Sequence, residues 1–318
     1  MKRSVKQILA RGTSWFLVGL LSLAFILTGC TAEWEPTEEE ETQYVFDDLD
    51  RLVAINGTPQ RIISLAPSNT EILFALGLGD KVVAVTDWCD YPPEALEKEK
   101  VGDYDTPNIE KIRALNPDLI LVAYGTSMDV INTLVELELT VFGIKSTDLN
   151  DVLNDIKRVG EITDKEIDAQ TLTSEMAAGI QAVTDQTQEL EQRPKVFYLL
   201  WGGGDGALWT AGSETFIHEL IEKGGGANTC QNITGYSTIS IEEVIARNPE
   251  VIVASSWPGV YEWAMNSTEL EVTAARQSDN VYTCDDNLVQ RPGPRLVQGL
   301  EWFAYFIHPE IFEEPEAS

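Results

Sequence analysis

Eight aromatic residues stand where short apolar runs give way to loops. They are Trp88, Tyr91, Tyr104 and Tyr124 in the first half of the chain and Trp201, Trp209, Tyr236 and Trp257 in the second. Aromatic rings fill cores on average, but in parallel α/β sheets the loops beyond the carboxyl ends of the strands are where ligands bind. Rings gathered there grip a large, flat, partly apolar molecule by stacking, with little loss of side-chain entropy. The segment "DDNLVQRPGPR" adds Asp285, Asp286, Arg291 and Arg295. Arg291, in a stiff turn between Gln290 and Pro292, suits a fixed hydrogen bond to a ligand amide or carboxylate, or a surface salt bridge. This is the chemistry of capture. Catalysis is harder to assemble: there is no Gly-x-Ser-x-Gly elbow, and "GGGDG" at 202–206 lacks the Lys-Ser/Thr of a phosphate loop. His218 within "TFIHELI" and His308 before Pro309 do not form a triad, and the Cys and His spacings suit no structural zinc site. No catalytic residue, metal ligand or cofactor is assigned.

The elements that must hold these loops alternate. A hairpin with Asn56-Gly57 at its turn leads to expected strands at 62–65, 82–86, 119–123 and 140–144, with helices at 69–76, 109–115 and 130–137 between them. Ser68-x-x-Glu71 reads as a capping box. Residues 148–192 break the rhythm with one amphipathic helix and a long one of roughly 40 Å. The alternation then resumes, with strands at 195–200, 228–230, 251–254 and 281–284 and helices at 214–223, 241–247 and 294–307. One phrase occurs twice, as "NIEKIRALNPDLILV" at 108–122 and "SIEEVIARNPEVIVA" at 240–254. Each copy is a capped helix, stopped by Asn-Pro and released into a buried strand. Matching units at matching places predict an α/β fold of two lobes, each a mainly parallel sheet flanked by helices, joined by a helix and facing each other across a cleft.

The ends carry a different message. Residues 1–29 hold Lys2, Arg3, Lys6 and Arg11, then an apolar stretch at 15–27, the pattern of a secretory signal. Leu27-Thr28-Gly29-Cys30 resembles a lipobox, which implies cleavage before Cys30 and a lipid on its thiol. Without that leader, 18 basic residues face 52 acidic ones, a net charge of −34. So acidic a chain excludes nucleic acid and leaves the lipid as the contact with a membrane. The expected organisation is the leader at 1–29, lipidated Cys30 with an acidic tether and hairpin at 30–59, lobes at 60–147 and 193–318, and connecting helices at 148–192. Cys89, Cys230 and Cys284 allow at most one disulfide, and whether Cys230 and Cys284 pair stays open.

The stretch "RIISLAPSNTEILFALGLGDKVVAVTDWCDYPPEA", followed by "VGDYDTPNIEKIRALNPDLILV", closely resembles the cobalamin-binding periplasmic proteins of ABC importers, within a group that also receives haem and ferric siderophores. The likeness runs over about 60–310. It implies two α/β lobes bridged by one long rigid helix, closing only slightly on the ligand. It implies corrin contacts at Tyr91, Tyr104, Tyr124 and Tyr236, with Arg291 on the ligand side. Glu110 and Glu242, the repeated acids, match lobe-tip glutamates that dock onto permease arginines, although an acid also suits a helix N-terminus. The function expected is a monomeric, lipid-anchored extracytoplasmic receptor that delivers cobalamin or a related corrinoid to an ABC permease and its ATPase. The alternatives are a haem or ferric-siderophore receptor, a sensor docking to a signalling protein, and an extracytoplasmic α/β enzyme.

Overall fold

The computed structural model describes residues 41–123, 125–202 and 207–316, so the leader, Cys30 and the acidic tether lie outside the described residues. The first hairpin pairs β1 (Thr42–Phe46) with β2 (Leu52–Asn56). Its turn falls at 47–51 and not at Asn56-Gly57. The buried Asp47 carboxylate accepts the backbone N–H groups of Leu49, Arg51 and Gly143 at 2.9–3.0 Å and pairs with the Arg51 guanidinium. An acid side chain therefore builds this turn, and Gly57, at φ 61°, ends β2 instead.

The first lobe is built on β3 (Ile62–Ser64), β4 (Val82–Val85), β5 (Glu99–Lys100), β6 (Leu119–Ala123) and β7 (Val141–Ile144). They form one parallel sheet in the order β5-β4-β3-β6-β7. Its helices are α1 (Pro67–Ala75), α2 (Ile109–Ala114) and α3 (Met128–Glu136). The amphipathic α4 (Leu149–Glu161) follows, and then α5 (Glu166–Thr187), which carries the chain to the second lobe. The 22 residues of α5 span about 33 Å, shorter than expected.

The second lobe contains β8 (Lys195–Leu199), β9 (Trp201–Gly202), β10 (Ala207–Ala211), β11 (Ala227–Asn228), β12 (Tyr236–Ser240), β13 (Val251–Ser255) and β14 (Val281–Cys284). Its main helices are α6 (Phe216–Lys223), α7 (Ile241–Arg247) and a closing helix at Leu296–Ile307. The parallel sheet runs β11-β8-β13-β14, the order of the first lobe without β5. A second, antiparallel sheet, β12-β10-β9, grows from the Gly-rich stretch expected to be a loop.

The repeated phrase has a structural reason. In both copies the Asn is left-handed, with φ 47° at Asn116 and 49° at Asn248, a conformation Asn tolerates. The acid after each Pro then turns back to the first strand of its lobe. Asp118 accepts the backbone N–H of Gln60 and Arg61 at 2.7 and 2.8 Å, and Glu250 accepts that of Lys195 at 3.0 Å. Each copy thus fastens the strand that follows it, β6 or β13, beside the first strand of its lobe, β3 or β8. Asn108 and Ser240 cap the two helices by accepting the N–H of Lys111 and Glu243. Glu243 does not complete a capping box; its carboxylate pairs with Arg247 one turn on. The box expected at Ser68 and Glu71 is absent too, because α1 starts on Pro67 and Glu71 is drawn into a tertiary ion pair.

Hydrophobic packing does not stop at the lobe boundary. Ile72 of α1, Ile156 of α4, Met176 and Val183 of α5, and Ile217 of α6 belong to one buried cluster with Leu300 of the closing helix. Cys89, Cys230 and Cys284 are all buried and all free, which answers the question of pairing.

Candidate functional site

The carboxyl ends of both parallel sheets open into one cavity of about 880 Å³. The first lobe contributes Ser68 after β3, Trp88 after β4, Ala123 at the end of β6 and Ser146 after β7. The second contributes Leu200 after β8, Trp257 after β13 and Asp286 after β14. Sheet topology selects these positions, since each lies at or beyond the carboxyl end of a strand of a parallel sheet.

Trp88 is half exposed at 52%, with its indole Nε1 donating to Asp103 Oδ1 at 3.0 Å. The Tyr104 backbone N–H donates to the same oxygen at 2.6 Å, so one carboxylate aligns two neighbouring aromatic residues. Gly125, at φ 100°, lies against the Tyr104 hydroxyl, and a Cβ there would collide with it. On the opposite wall Tyr236 meets Phe216 edge-on, with ring centroids 6.4 Å apart. Trp257 is set by its backbone, whose N–H donates to Ser255 Oγ at 3.1 Å.

Asp286 sits in a fixed frame. It accepts from Ser255 Oγ at 2.5 Å and from the Ser256 N–H at 3.1 Å, while its own N–H donates to Ser256 Oγ at 3.0 Å. Beneath it, burial pushes the Tyr198 hydroxyl well above the ordinary range, helped by the Asp286 charge; that hydroxyl accepts from Gln290 at 3.1 Å. Ser146 donates to the buried Asp155 at 2.7 Å, and burial pushes that carboxyl up to about 8.

Arg291 lines the cavity but is already engaged across the lobes. It donates to Asp90 at 2.7 Å and to Glu71 at 3.2 Å. Arg295 donates twice to the same Glu71 carboxylate, at 2.9 and 2.6 Å, and lies 3.8 Å over the Tyr91 ring. Tyr91 therefore faces a separate depression of about 720 Å³ with Phe74 and Lys98. Arg291 lines one hollow, Glu71 and Arg295 the other, so the ion-pair chain stands between them.

The structure thus brings Trp88, Tyr104, Tyr236, Trp257, Asp286 and Arg291 to one cavity. Trp201 and Trp209 are direct partners across β9 and β10, and the register puts them on the same sheet face as Tyr236, outside that lining. Tyr124 lies outside the described residues. Sequence reading missed Asp90, Asp103, Asp105, Phe216 and Gln290, all of which line the cavity. The three aspartates each stand within two residues of a chosen aromatic, but in so acidic a chain they carried no signal. Phe216 looked like an ordinary core residue of an amphipathic helix. Both histidines serve the scaffold: His218 lies 3.3 Å from Asn228, and His308 lies 3.2 Å from the Gly225 carbonyl. Cys89 is buried between the hydroxyls of Thr70 and Thr86.

The sequence profile of the periplasmic binding protein family matches residues 62–288. The chain belongs to that family. This periplasmic binding protein is 32% identical over 308 residues to an uncharacterized ABC transporter substrate-binding lipoprotein, YvrC, of Bacillus subtilis, covering 93% of this chain and 97% of the relative. It is 31% identical over 245 residues to the vitamin B12-binding protein of Vibrio cholerae, covering 76% of this chain and 87% of the other. The crystal structure of the periplasmic vitamin B12-binding protein of Vibrio cholerae superposes with a TM-score of 0.69 at 30% identity, over 79% of this chain and 97% of that one. A periplasmic haem-binding protein from Roseiflexus superposes with a TM-score of 0.72 at 25% identity, over 80% and 99%. The periplasmic binding protein is accordingly the substrate-binding component of an ABC transporter, a binder of a small molecule and not an enzyme. Glu110 and Glu242 lie exposed in the first turns of α2 and α7, the equivalent helices of the two lobes.

Proposed function

We propose that this periplasmic binding protein captures cobalamin or a related corrinoid and delivers it to an ABC permease with its ATPase. The observation that carries this reading is a cavity with aromatic walls whose one basic lining residue among those described, Arg291, is committed to Glu71 and Asp90. A corrin ring is broad and partly apolar and bears neutral amides. Such amides match aspartate acceptors and aromatic faces. Haem brings two carboxylates, and many ferric siderophores are anionic; both call for unpaired bases in the cavity. The likeness to vitamin B12-binding proteins of Vibrio cholerae supports the same choice.

In this reading residues 1–29 are a signal, Cys30 carries lipid, and the tether suspends a monomeric receptor at the outer face of the cytoplasmic membrane. Glu110 and Glu242 meet basic residues of the permease, and the acidic surface speeds that encounter. Titration of the purified protein with cyanocobalamin, haem and a ferric siderophore tests the ligand. One-to-one binding of the corrinoid is expected, and tight binding of haem or siderophore alone would replace it. Glu110→Ala with Glu242→Ala should leave binding intact and abolish uptake; unchanged uptake would remove the docking role.

A further inference from the structure

The cavity has a pronounced charge asymmetry. Its lining holds five aspartates, Asp90, Asp103, Asp105, Asp285 and Asp286, against Arg291, a formal charge of −4. These acids come from both lobes, so a ligand seated between them is enclosed by negative charge. Arg291 does not offset this for an anionic ligand. Its side chain is 14% exposed, and Glu71, 2% exposed, takes it from one side while Asp90, at the rim and 52% exposed, takes it at 2.7 Å. Glu71 is also fixed by Arg295, which leaves Asp90 as the partner that a rim position could release.

Corrinoids differ in charge by simple addition. Cobalt(III), the monoanionic corrin ring and one cyanide leave a single positive charge in aquacyanocobinamide. The phosphodiester of the nucleotide loop cancels it in cyanocobalamin, and a second cyanide cancels it in dicyanocobinamide.

We propose that this cavity selects among corrinoids by charge, favouring cationic ones without the nucleotide phosphate, and that Asp90 sets this preference by keeping Arg291 from any anionic group. The inference rests on the corrinoid reading above and adds the substrate form and the residue that decides it. A phosphate placed among these carboxylates loses solvation and gains no free base, whereas a cation gains their field. Unit charges in a partly screened cavity make the expected difference about tenfold or more at low salt, shrinking toward 0.5 M salt.

The test is calorimetric titration of the full chain in detergent with the three corrinoids at low and high salt. Aquacyanocobinamide should bind tightest and lose affinity as salt rises, while cyanocobalamin and dicyanocobinamide respond little. Asp90→Asn should weaken aquacyanocobinamide and strengthen cyanocobalamin, collapsing the preference. Asp105→Asn, which removes the same charge without touching Arg291, should only weaken the cation. Equal affinities for the three wild-type complexes, or a preference indifferent to salt, would overturn the inference and leave the corrinoid function standing. A change in the visible spectrum confined to aquacyanocobinamide would reassign its advantage to axial ligation and also overturn it. Failure of every corrinoid to bind removes the proposed function itself, and this inference with it.

Discussion

Trp88 is held at its polar edge by Asp103 and half exposed at the cavity, which leaves its ring surface for a ligand to cover. Trp88→Ala should weaken corrinoid binding by about 1–2 kcal/mol, roughly tenfold in a titration, without lowering the melting temperature. Asp155 makes a different prediction. Its carboxyl is ordinary in the unfolded chain, near 3.8, and pushed up to about 8 in the fold by burial, with Asp48 adding to the effect while Ser146 and Arg158 oppose it. The folded protein therefore binds the extra proton between those values. The stability this contributes is complete below about pH 4 and is lost as pH rises through about 8. Denaturant midpoints should fall across that window, and Asp155→Asn should flatten the fall; an unchanged slope in the variant would place the proton elsewhere. The aromatic half of the site was legible because large rings at the ends of apolar runs are conspicuous. The acidic half was not, since nothing local separates Asp90 or Asp103 from the other acids of a chain with 52 of them.

Among the elements, the twice-used helix–turn–strand was the most legible feature. Cap, Asn-Pro and following acid are local signals, and the fold uses all of them. The task of the acid was hidden, because Asp118 reaches residues 60 and 61 and Glu250 reaches residue 195, pairings that no local spacing announces. Asp118→Ala removes the acceptor of two backbone N–H groups and should cost about 1–3 kcal/mol in chemical denaturation. Glu250→Ala, with one such bond, should cost less; an equal loss would mean that the carboxylates act through charge and not through these bonds. The hairpin turn and the α1 cap differ from expectation for different reasons. Asp47 builds the turn through Leu49 and Arg51 nearby, a role that one acid among many does not announce, whereas Glu71 is engaged by Arg295 far along the chain.

At the scale of the molecule, two features oppose wide opening of the lobes. One is the buried cluster shared by α1, α4, α5, α6 and the closing helix. The other is Glu71, which receives Arg291 and Arg295 from the far lobe in a site almost closed to water. Removing this carboxylate strands two partly buried guanidinium groups. Glu71→Ala should cost about 3–5 kcal/mol, read as a drop in melting temperature. Solution scattering should then show little change in the radius of gyration when ligand binds the native protein. A large contraction would mean that the shared core parts in the free state.

The three buried, unbridged thiols, two in that shared core and Cys230 in a second cluster, turn the coupling of the lobes into something that can be timed. Cys89 belongs to the first lobe, and Cys230 and Cys284 to the second, so each is a clock hidden in one half of the molecule. In a chain with Cys30 replaced by Ser, a maleimide reaches these sulfurs only when their surroundings come apart. If the halves share one fate, all three clocks start together, and a bound ligand slows them equally.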